Sequence, residues 1–228
     1  MDAQLATRIR ALRSSLDAAC RACQRDPAEV LLVAVSKGHP ADAVRSAART
    51  GLEHFGESYV QEALPKLARL ADMELQWHFI GRLQANKTRA VAEHFHWVHG
   101  VDQLKLAQRL SAQRPHYAPP LNVCIQVNIA GEAQKAGVAP GQLEALAHAV
   151  HDLPGLRLRG LMGILPAGLQ TPRRRALFGQ IAALAARLRR GGLPLDTLSM
   201  GMSDDYEDAI VAGATIVRIG TALFGTRI

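Results

Sequence analysis

The chain has 228 residues, of which 48% are hydrophobic and 21% charged, and its formal net charge is +7. This composition is that of a globular protein with a sizeable core and excludes an intrinsically disordered chain. The three cysteines give no disulfide framework, and no apolar run is long enough to span a membrane. We expect a cytoplasmic protein without a signal peptide, because the N-terminus lacks an apolar segment of the required length.

The excess positive charge comes largely from arginines on predicted helix surfaces, such as 173–175 and 187–190. No aromatic residues are interleaved with them, so we expect no nucleic-acid binding, whereas an anionic small ligand suits this charge. Cys20-x-x-Cys23 falls inside a helical pattern without a second pair. We therefore predict no metal site.

Along the chain, residues 3–25 carry apolar side chains at three- and four-residue spacing, which predicts one amphipathic helix. Eight short apolar segments follow, separated by helical patterns. The predicted strands are 30–35, 52–55, 75–80, 96–99, 121–127, 156–164, 196–200 and 214–219. The helices between them are predicted at 41–50, 59–70, 83–93, 102–113, 140–152, 172–190 and 204–212. Gly100 is expected to end the fourth strand, and Asp102 to cap the helix after it.

Eight parallel strands that alternate with helices are typical of a (β/α)8 TIM barrel. The rival fold is an open doubly wound sheet, but no G-x-G-x-x-G motif follows the first strand. No segment resembles an interdomain linker. We predict a single barrel domain over residues 1–228, with the first helix as an addition before the barrel.

The first strand runs directly into Lys37, Gly38 and Pro40. Lys37 is therefore predicted at the carboxyl end of a strand, the edge where barrels build their sites. A lysine amine partly desolvated there can form a Schiff base. A solvated lysine at a strand end is the alternative interpretation.

The turns after the last two strands are rich in groups that bind phosphate. Ser199, Gly201 and Ser203 follow the seventh strand, and Gly220 and Thr221 follow the eighth. Barrels often bind phosphate there, through backbone N–H groups at a helix N-terminus. A phosphate site beside a lysine predicts pyridoxal phosphate as the cofactor.

Arg218 is then placed to face the pyridine nitrogen, where a permanently protonated guanidinium would keep that nitrogen unprotonated. Each residue also has a purely structural interpretation: Ser199 and Ser203 as helix caps, and Arg218 as the partner of a carboxylate. His78, His96 and His99 match no metal motif, and we expect them to be packed or hydrogen-bonded.

The chain resembles, over nearly its whole length, the YggS/PROSC family of pyridoxal phosphate homeostasis proteins. The matching segments are Ala34-Val35-Ser36-Lys37, Phe55-Gly56-Glu57, Tyr59-Val60-Gln61-Glu62, His78-Phe79-Ile80-Gly81, Gln126-Val127-Asn128, Gly160-Leu161-Met162, Leu198-Ser199-Met200-Gly201-Met202-Ser203 and Val217-Arg218-Ile219-Gly220-Thr221. Their number and order make the resemblance highly specific.

The resemblance implies a barrel like the N-terminal domain of alanine racemase, with Lys37 holding the cofactor as an imine. It implies phosphate contacts from 199–203 and 220–221, and Arg218 near the ring nitrogen. Ser58 departs from the family, which usually has asparagine at this position, so any side-chain contact from residue 58 is in doubt.

Two main functions remain open: a protein that buffers the cofactor and passes it to apo-enzymes, and a racemase or related amino-acid enzyme. A nucleic-acid binder that uses the arginine-rich surface is a third, weaker hypothesis. Racemisation needs acid–base groups on both faces of the substrate α-carbon. Alanine racemases take the second group, a tyrosine, from a C-terminal β-domain, whereas this chain stops at Ile228. We therefore expect a monomeric binding protein without a catalytic residue, as the family has no established enzymatic activity.

Overall fold

The eight strands form one closed parallel barrel, in sequence order around the ring. The computed structural model describes residues 3–132 and 134–225. The strands are β1 (Leu31–Val35), β2 (His54–Glu57), β3 (Gln76–Phe79), β4 (Trp97–Val101), β5 (Leu121–Gln126), β6 (Leu156–Met162), β7 (Thr197–Ser199) and β8 (Ile216–Ile219). The α-helices are α1 (Ala3–Ala22), α2 (Ala41–Ala48), α3 (Val60–Arg69), α4 (Thr88–His94), α5 (Leu104–Gln113), α6 (Leu143–His151), α7 (Thr171–Arg190), α8 (Tyr206–Val211) and α9 (Thr221–Phe224).

The ring closes between β1 and β8, where Val33 lies opposite Arg218 and Ala34 opposite Ile219. This closure brings the turn after β1 beside the turn after β8. The predicted (β/α)8 barrel with an extra N-terminal helix is confirmed. None of the helices in the described residues is long and apolar enough to cross a membrane.

Side chains of each strand alternate between the barrel interior and the helix layer. In β8, Val217 and Ile219 pack in the large core beneath the helices. Ile216 faces inward instead, and Arg218 follows two residues later on the same side. The inner apolar cluster comprises Val33, Trp97, Cys124, Met162 and Ile216. The interior therefore combines this apolar cluster with buried polar side chains, Arg218 among them.

Helix α1 packs against α2, α8 and α9. Its buried side chains are Leu5, Ile9, Leu12 and Leu16, which belong to the predicted apolar face, and Cys20. Arg13 donates to the Gly51 carbonyl at 2.8 Å, and Arg25 donates to the Ala214 carbonyl at 2.7 Å. The first bond attaches α1 to the barrel, and the second attaches the turn after α1, at loops far apart in sequence.

Two predictions about the fourth strand and the helix after it were wrong. Asp102 does not cap α5, which begins at Leu104 without a side-chain cap; its carboxylate instead accepts the Gly137 N–H at 3.2 Å. Gly100 does not end β4 but lies inside it. A Cβ at Gly100 would lie 3.0 Å from the Gly81 carbonyl oxygen, so close backbone approach explains this glycine.

Candidate functional site

Lys37 lies in the turn that leaves β1, at the mouth of the barrel formed by the carboxyl ends of the strands. The turn is tight because Gly38 adopts a φ of +75°, a conformation that glycine reaches without steric cost. Lys37 is half-buried. The strand thus delivers an amine to the mouth, as the sequence predicts.

A cavity of about 230 Å³ opens beside Lys37. It is lined by Val35, Lys37, His39, Ile80, Ile164, Met202, Ser203, Asp204, Arg218, Gly220, Thr221 and Gly225. Five of the seven residues predicted to bind the cofactor are in this lining. The cavity therefore brings together an amine, a guanidinium, two hydroxyls and a glycine turn from opposite ends of the sequence.

Ser199 and Gly201, the other two predicted residues, do not line the cavity. Ser199 is fully buried, and its hydroxyl contacts Arg218 Nη1 and His99 Nδ1, each at 2.7 Å. Gly201 has a φ of +97° and accepts the backbone N–H of Arg218 at 2.9 Å. Both residues support the cavity from beneath.

Arg218 is buried at the base of the cavity. Its Nη1 donates to the Ser199 carbonyl at 2.6 Å, and its Nη2 donates to the Gly163 carbonyl at 3.0 Å. No carboxylate of the described residues forms an ion pair with it, so the structural interpretation offered by the sequence does not apply. Burial lowers the pKa of Arg218 to about 10, which the charge of Asp205 partly opposes. The guanidinium therefore remains a cation at neutral pH.

The two turns predicted to hold phosphate lie at one side of the cavity. Helix α8 begins at Tyr206, so neither Ser199 nor Ser203 caps it. The turn before α8 is fixed by Asp205, whose carboxylate accepts the Met202 N–H at 2.6 Å. Ser203 and Thr221 both reach the cavity. Thr221 starts α9, and the first N–H groups of a helix have no acceptor within it.

Several residues of the lining were not predicted. The His39 ring stacks on Phe224, with centroids 5.0 Å apart, and Met202 and Asp204 lie beside Ser203. The only sequence signal for His39 is its position two residues after Lys37. Ile80 and Ile164 come from strand ends whose apolar character predicts burial and not a site.

A charged cluster of Glu57, Glu62 and Lys66, called here the α3 clamp, holds the backbone on both sides of Lys37. Glu57 and Lys66 are buried, and Glu62 is partly exposed. Lys66 Nζ donates to the Ser36 carbonyl at 2.9 Å, to Glu57 Oε1 at 2.6 Å and to Glu62 Oε1 at 2.8 Å. Glu62 in turn accepts the Gly38 N–H. The residues before and after Lys37 are therefore both attached to α3.

The two carboxylates of the clamp differ in environment. Burial raises the pKa of Glu57, although hydrogen bonds from Lys66 and Ser36 partly offset it. For Glu62, burial opposes ionisation, but hydrogen bonds from Lys66 and Gly38 together lower the pKa. Glu57 Oε2 is buried without a hydrogen-bond partner among the described residues. Lys66 resembles an ordinary helix-surface lysine in the sequence, so the clamp was not predicted.

A larger groove of about 800 Å³ adjoins the cavity and shares Lys37, Ile80 and Ile164 with it. Ser58 lies in this groove and not in the cavity. Tyr59, Arg82 and Lys87 also line it. The groove gives Lys37 a second open side. Elsewhere in the part of the chain that the structure describes, no three His, Cys, Asp or Glu side chains are arranged to hold a metal ion.

Comparison with known proteins matches residues 8–228 to the family described as "Alanine racemase, N-terminal domain". The chain is 58% identical to the pyridoxal phosphate homeostasis protein of Pseudomonas aeruginosa over 223 residues, covering 98% of this chain and 96% of that protein. It is 48% identical to the protein of the same name from Escherichia coli K12 over 226 residues, covering 98% and 97%.

Among solved structures, PipY of Synechococcus elongatus with PLP bound is 42% identical, with a TM-score of 0.86 over 97% of this chain and all of PipY. The D-threonine aldolase of Filomicrobium marinum is 20% identical, with a TM-score of 0.76 over 96% of this chain and 60% of the aldolase. At that identity the second likeness concerns the fold alone.

Proposed function

The chain belongs to the family of pyridoxal phosphate homeostasis proteins, whose barrel is that of the alanine racemase N-terminal domain, and we propose that it holds pyridoxal phosphate as an imine on Lys37. The observation that carries the proposal is the single cavity that joins Lys37, Arg218 and the turns at Ser203 and Thr221. The PLP-bound structure of PipY supports the choice of cofactor.

The residues of the cavity fit the three parts of pyridoxal phosphate. The cofactor supplies an aldehyde that condenses with amines, and Lys37 supplies the amine. Arg218 has only N–H donors, so it suits an unprotonated ring nitrogen, which is an acceptor. Ser203, Gly220 and Thr221 suit the phosphate, because hydroxyls and the free N–H groups of a helix start favour an anion. A Cβ at Gly220 would lie 3.1 Å from the Val35 carbonyl oxygen, so a side chain there would crowd the cavity wall.

We propose further that the protein buffers the cofactor and releases it to apo-enzymes. The groove beside Lys37 supports this, since an incoming amine has room to approach without passing through the cavity. After release, Lys37 can bind the cofactor again. The predicted monomeric state and absence of nucleic-acid binding remain predictions.

The test is the spectrum of the purified protein after addition of pyridoxal phosphate. We expect an imine absorption band, a borohydride-reducible adduct at Lys37 by mass mapping, and loss of that adduct in Lys37→Ala. Lys87→Ala is the matched control, because Lys87 lines the neighbouring groove but not the cavity. A protein that stays colourless, or an adduct that persists in Lys37→Ala, contradicts the proposal.

The same preparation tests the racemase alternative. Incubation of the loaded protein with single L-amino acids is expected to yield no D-isomer above the background of free cofactor. Conversion of an L-amino acid to its D-isomer at enzymic rates would show catalysis and contradict the buffering role.

A further inference from the structure

Three histidines form a continuous hydrogen-bonded column across the barrel interior, called here the imidazole column. His54 Nδ1 lies 2.9 Å from His78 Nε2, and His78 Nδ1 lies 2.9 Å from His99 Nε2. His99 Nδ1 contacts the Ser199 hydroxyl, which is bound by Arg218. The column therefore leads from the amino end of β2 to the guanidinium at the base of the cavity.

The interior of the barrel holds these rings in fixed planes. His78 and His99 are fully buried, and Trp97 stacks on His78 with centroids 5.4 Å apart and planes 9° apart. Trp97 is in turn held by the guanidinium of Arg159, 4.7 Å from its ring. His54 is half-buried and lines a separate cavity at the opposite end of the barrel.

The direction of the hydrogen bonds follows from Arg218, because a guanidinium can only donate. Ser199 Oγ must accept from Arg218, and its one proton then has His99 Nδ1 as its acceptor. His99 consequently donates through Nε2–H to His78, and His78 donates through Nε2–H to His54. Each hydrogen bond of this path then has one donor and one acceptor.

The reverse direction fails at Ser199. If His99 Nδ1–H donated to Ser199, the hydroxyl oxygen would accept from both neighbours and its own proton would have no acceptor among the described residues. A buried donor without a partner is costly. Burial and, to a smaller extent, the charge of Arg218 hold the pKa of His99 well below its usual value, which keeps the ring neutral and able to accept.

We propose that the imidazole column accepts the proton of the Ser199 hydroxyl, which turns the lone pairs of Ser199 Oγ towards Arg218 and so positions the guanidinium towards the ring of the bound cofactor. This inference rests on the proposed function. His78, His99 and Ser199 are positioning residues, since Ser199 does not line the cavity and the imidazoles act through it. The proposal assigns a role to His78 and His99, which the sequence predicts only to be packed or hydrogen-bonded.

The first experiment needs no cofactor. Long-range ¹H–¹⁵N NMR of the wild-type apo-protein is expected to show His54, His78 and His99 as neutral Nε2–H tautomers. In Ser199→Ala, His99 loses the donor to Nδ1, so the tautomers of His99 and His78 are expected to become mixed. An Nδ1–H tautomer for His99 in the wild type, or unchanged tautomers in Ser199→Ala, overturns the proposal.

The second experiment compares His99→Leu with His99→Asn by absorption titration with pyridoxal phosphate. Asparagine keeps an acceptor near the position of Nδ1, whereas leucine fills the space without one. One lost hydrogen bond corresponds to about fivefold in affinity, so we expect His99→Leu to bind about fivefold more weakly and His99→Asn to bind within about twofold of the wild type. Equal affinities for the two variants overturn the proposal.

His96→Leu is the matched control, because this half-buried ring accepts the Trp77 N–H and forms no hydrogen bond to the column. Its affinity is expected to match the wild type. A wild-type protein that binds no pyridoxal phosphate would refute the proposed function. If the wild type binds the cofactor but His99→Leu and His99→Asn bind it with equal affinity, only the role of the imidazole column is refuted. If His99→Leu does not fold, the histidine tautomers of the wild type and of Ser199→Ala still test the proposal.

Discussion

Gly201 shows how a single residue shapes the cavity without touching it. Its φ of +97° is unfavourable for any side chain with a Cβ, and a Cβ there would lie 2.8 Å from Ala209 Cβ and 3.0 Å from Tyr206 Cα. We expect Gly201→Ala to destabilise the protein by about 2 kcal/mol, from strain and overpacking. The measurement is urea unfolding of the apo-protein.

The Gly201 substitution is also expected to weaken cofactor binding, because the backbone that it disturbs bonds to Arg218 and leads into the turn of Ser203. Gly179→Ala is the control. Gly179 lies in α7 with open space around its Cβ position, so alanine there is expected to stabilise by about 0.5–1 kcal/mol. A Gly201→Ala protein as stable as the wild type would show that the turn adapts.

At the residue scale, the sequence predicts that Lys37, Arg218 and Thr221 lie together. The reason is that the carboxyl ends of all the barrel strands, and the turns after them, lie at one mouth of the barrel. The sequence does not separate Ser199 from Ser203. Both precede α8, but Ser199 ends β7 and points inward, whereas Ser203 lies beyond the tight turn at Gly201. The inward direction depends on the register of β7, which a three-residue strand does not reveal in its sequence pattern.

At the scale of elements, the α3 clamp connects a helix to the loop that carries Lys37. Lys66 is 5% exposed and bonds to Glu57, which is fully buried. We expect Lys66→Met to destabilise the protein by about 3–5 kcal/mol, because removing one partner leaves a buried carboxylate unpaired. It is also expected to slow adduct formation at Lys37, since the Ser36 carbonyl loses its donor. Unfolding in urea and the rate of the imine band measure the two effects.

The double variant Glu57→Gln, Lys66→Met separates charge from packing. An uncharged amide in place of Glu57 keeps an acceptor for the Ser36 hydroxyl, so we expect about half of the lost stability to return. Lys105→Met, an exposed lysine of α5, is the matched control and is expected to change stability by less than about 0.5 kcal/mol. No recovery in the double variant would place the cost in packing rather than in charge.

Helices and strands were predicted correctly where their apolar pattern is regular. Their first and last residues were predicted less well where polar contacts determine them. All eight strands were located, because buried parallel strands are short apolar runs between turn residues. The start of α4 was not, since residues 85–87 form a 3-10 turn before the helix begins at Thr88. Asp102 matches the pattern of a cap, yet a backbone N–H distant in sequence competes for its carboxylate.

At the scale of the whole molecule, the barrel interior holds a buried guanidinium among neutral hydrogen-bonding groups. Arg218 is a buried cation whose side-chain hydrogen-bond partners among the described residues, the Ser199 and Gly163 carbonyls and the Ser199 hydroxyl, are all neutral. The imidazoles complete this arrangement only while they are uncharged. A second positive charge on His99 would lie one hydroxyl away from Arg218 in a low-dielectric interior. Folding is therefore coupled to the neutral state of the column.

This coupling predicts how stability depends on pH. Burial holds the pKa of both His78 and His99 well below the ordinary value of about 6.5, so below pH 6.5 the unfolded chain binds protons that the folded chain does not. Stability is then expected to fall with falling pH, by up to about 1.4 kcal/mol per pH unit for each buried histidine. In His99→Asn one such histidine is absent, so the slope of apo-protein stability between pH 6.5 and 5 is expected to be shallower by about that amount. Other titrating groups, such as Glu57, are common to both proteins and cancel in the difference. Urea unfolding across this range measures the two slopes, and identical slopes would mean that His99 titrates alike in the folded and unfolded chains.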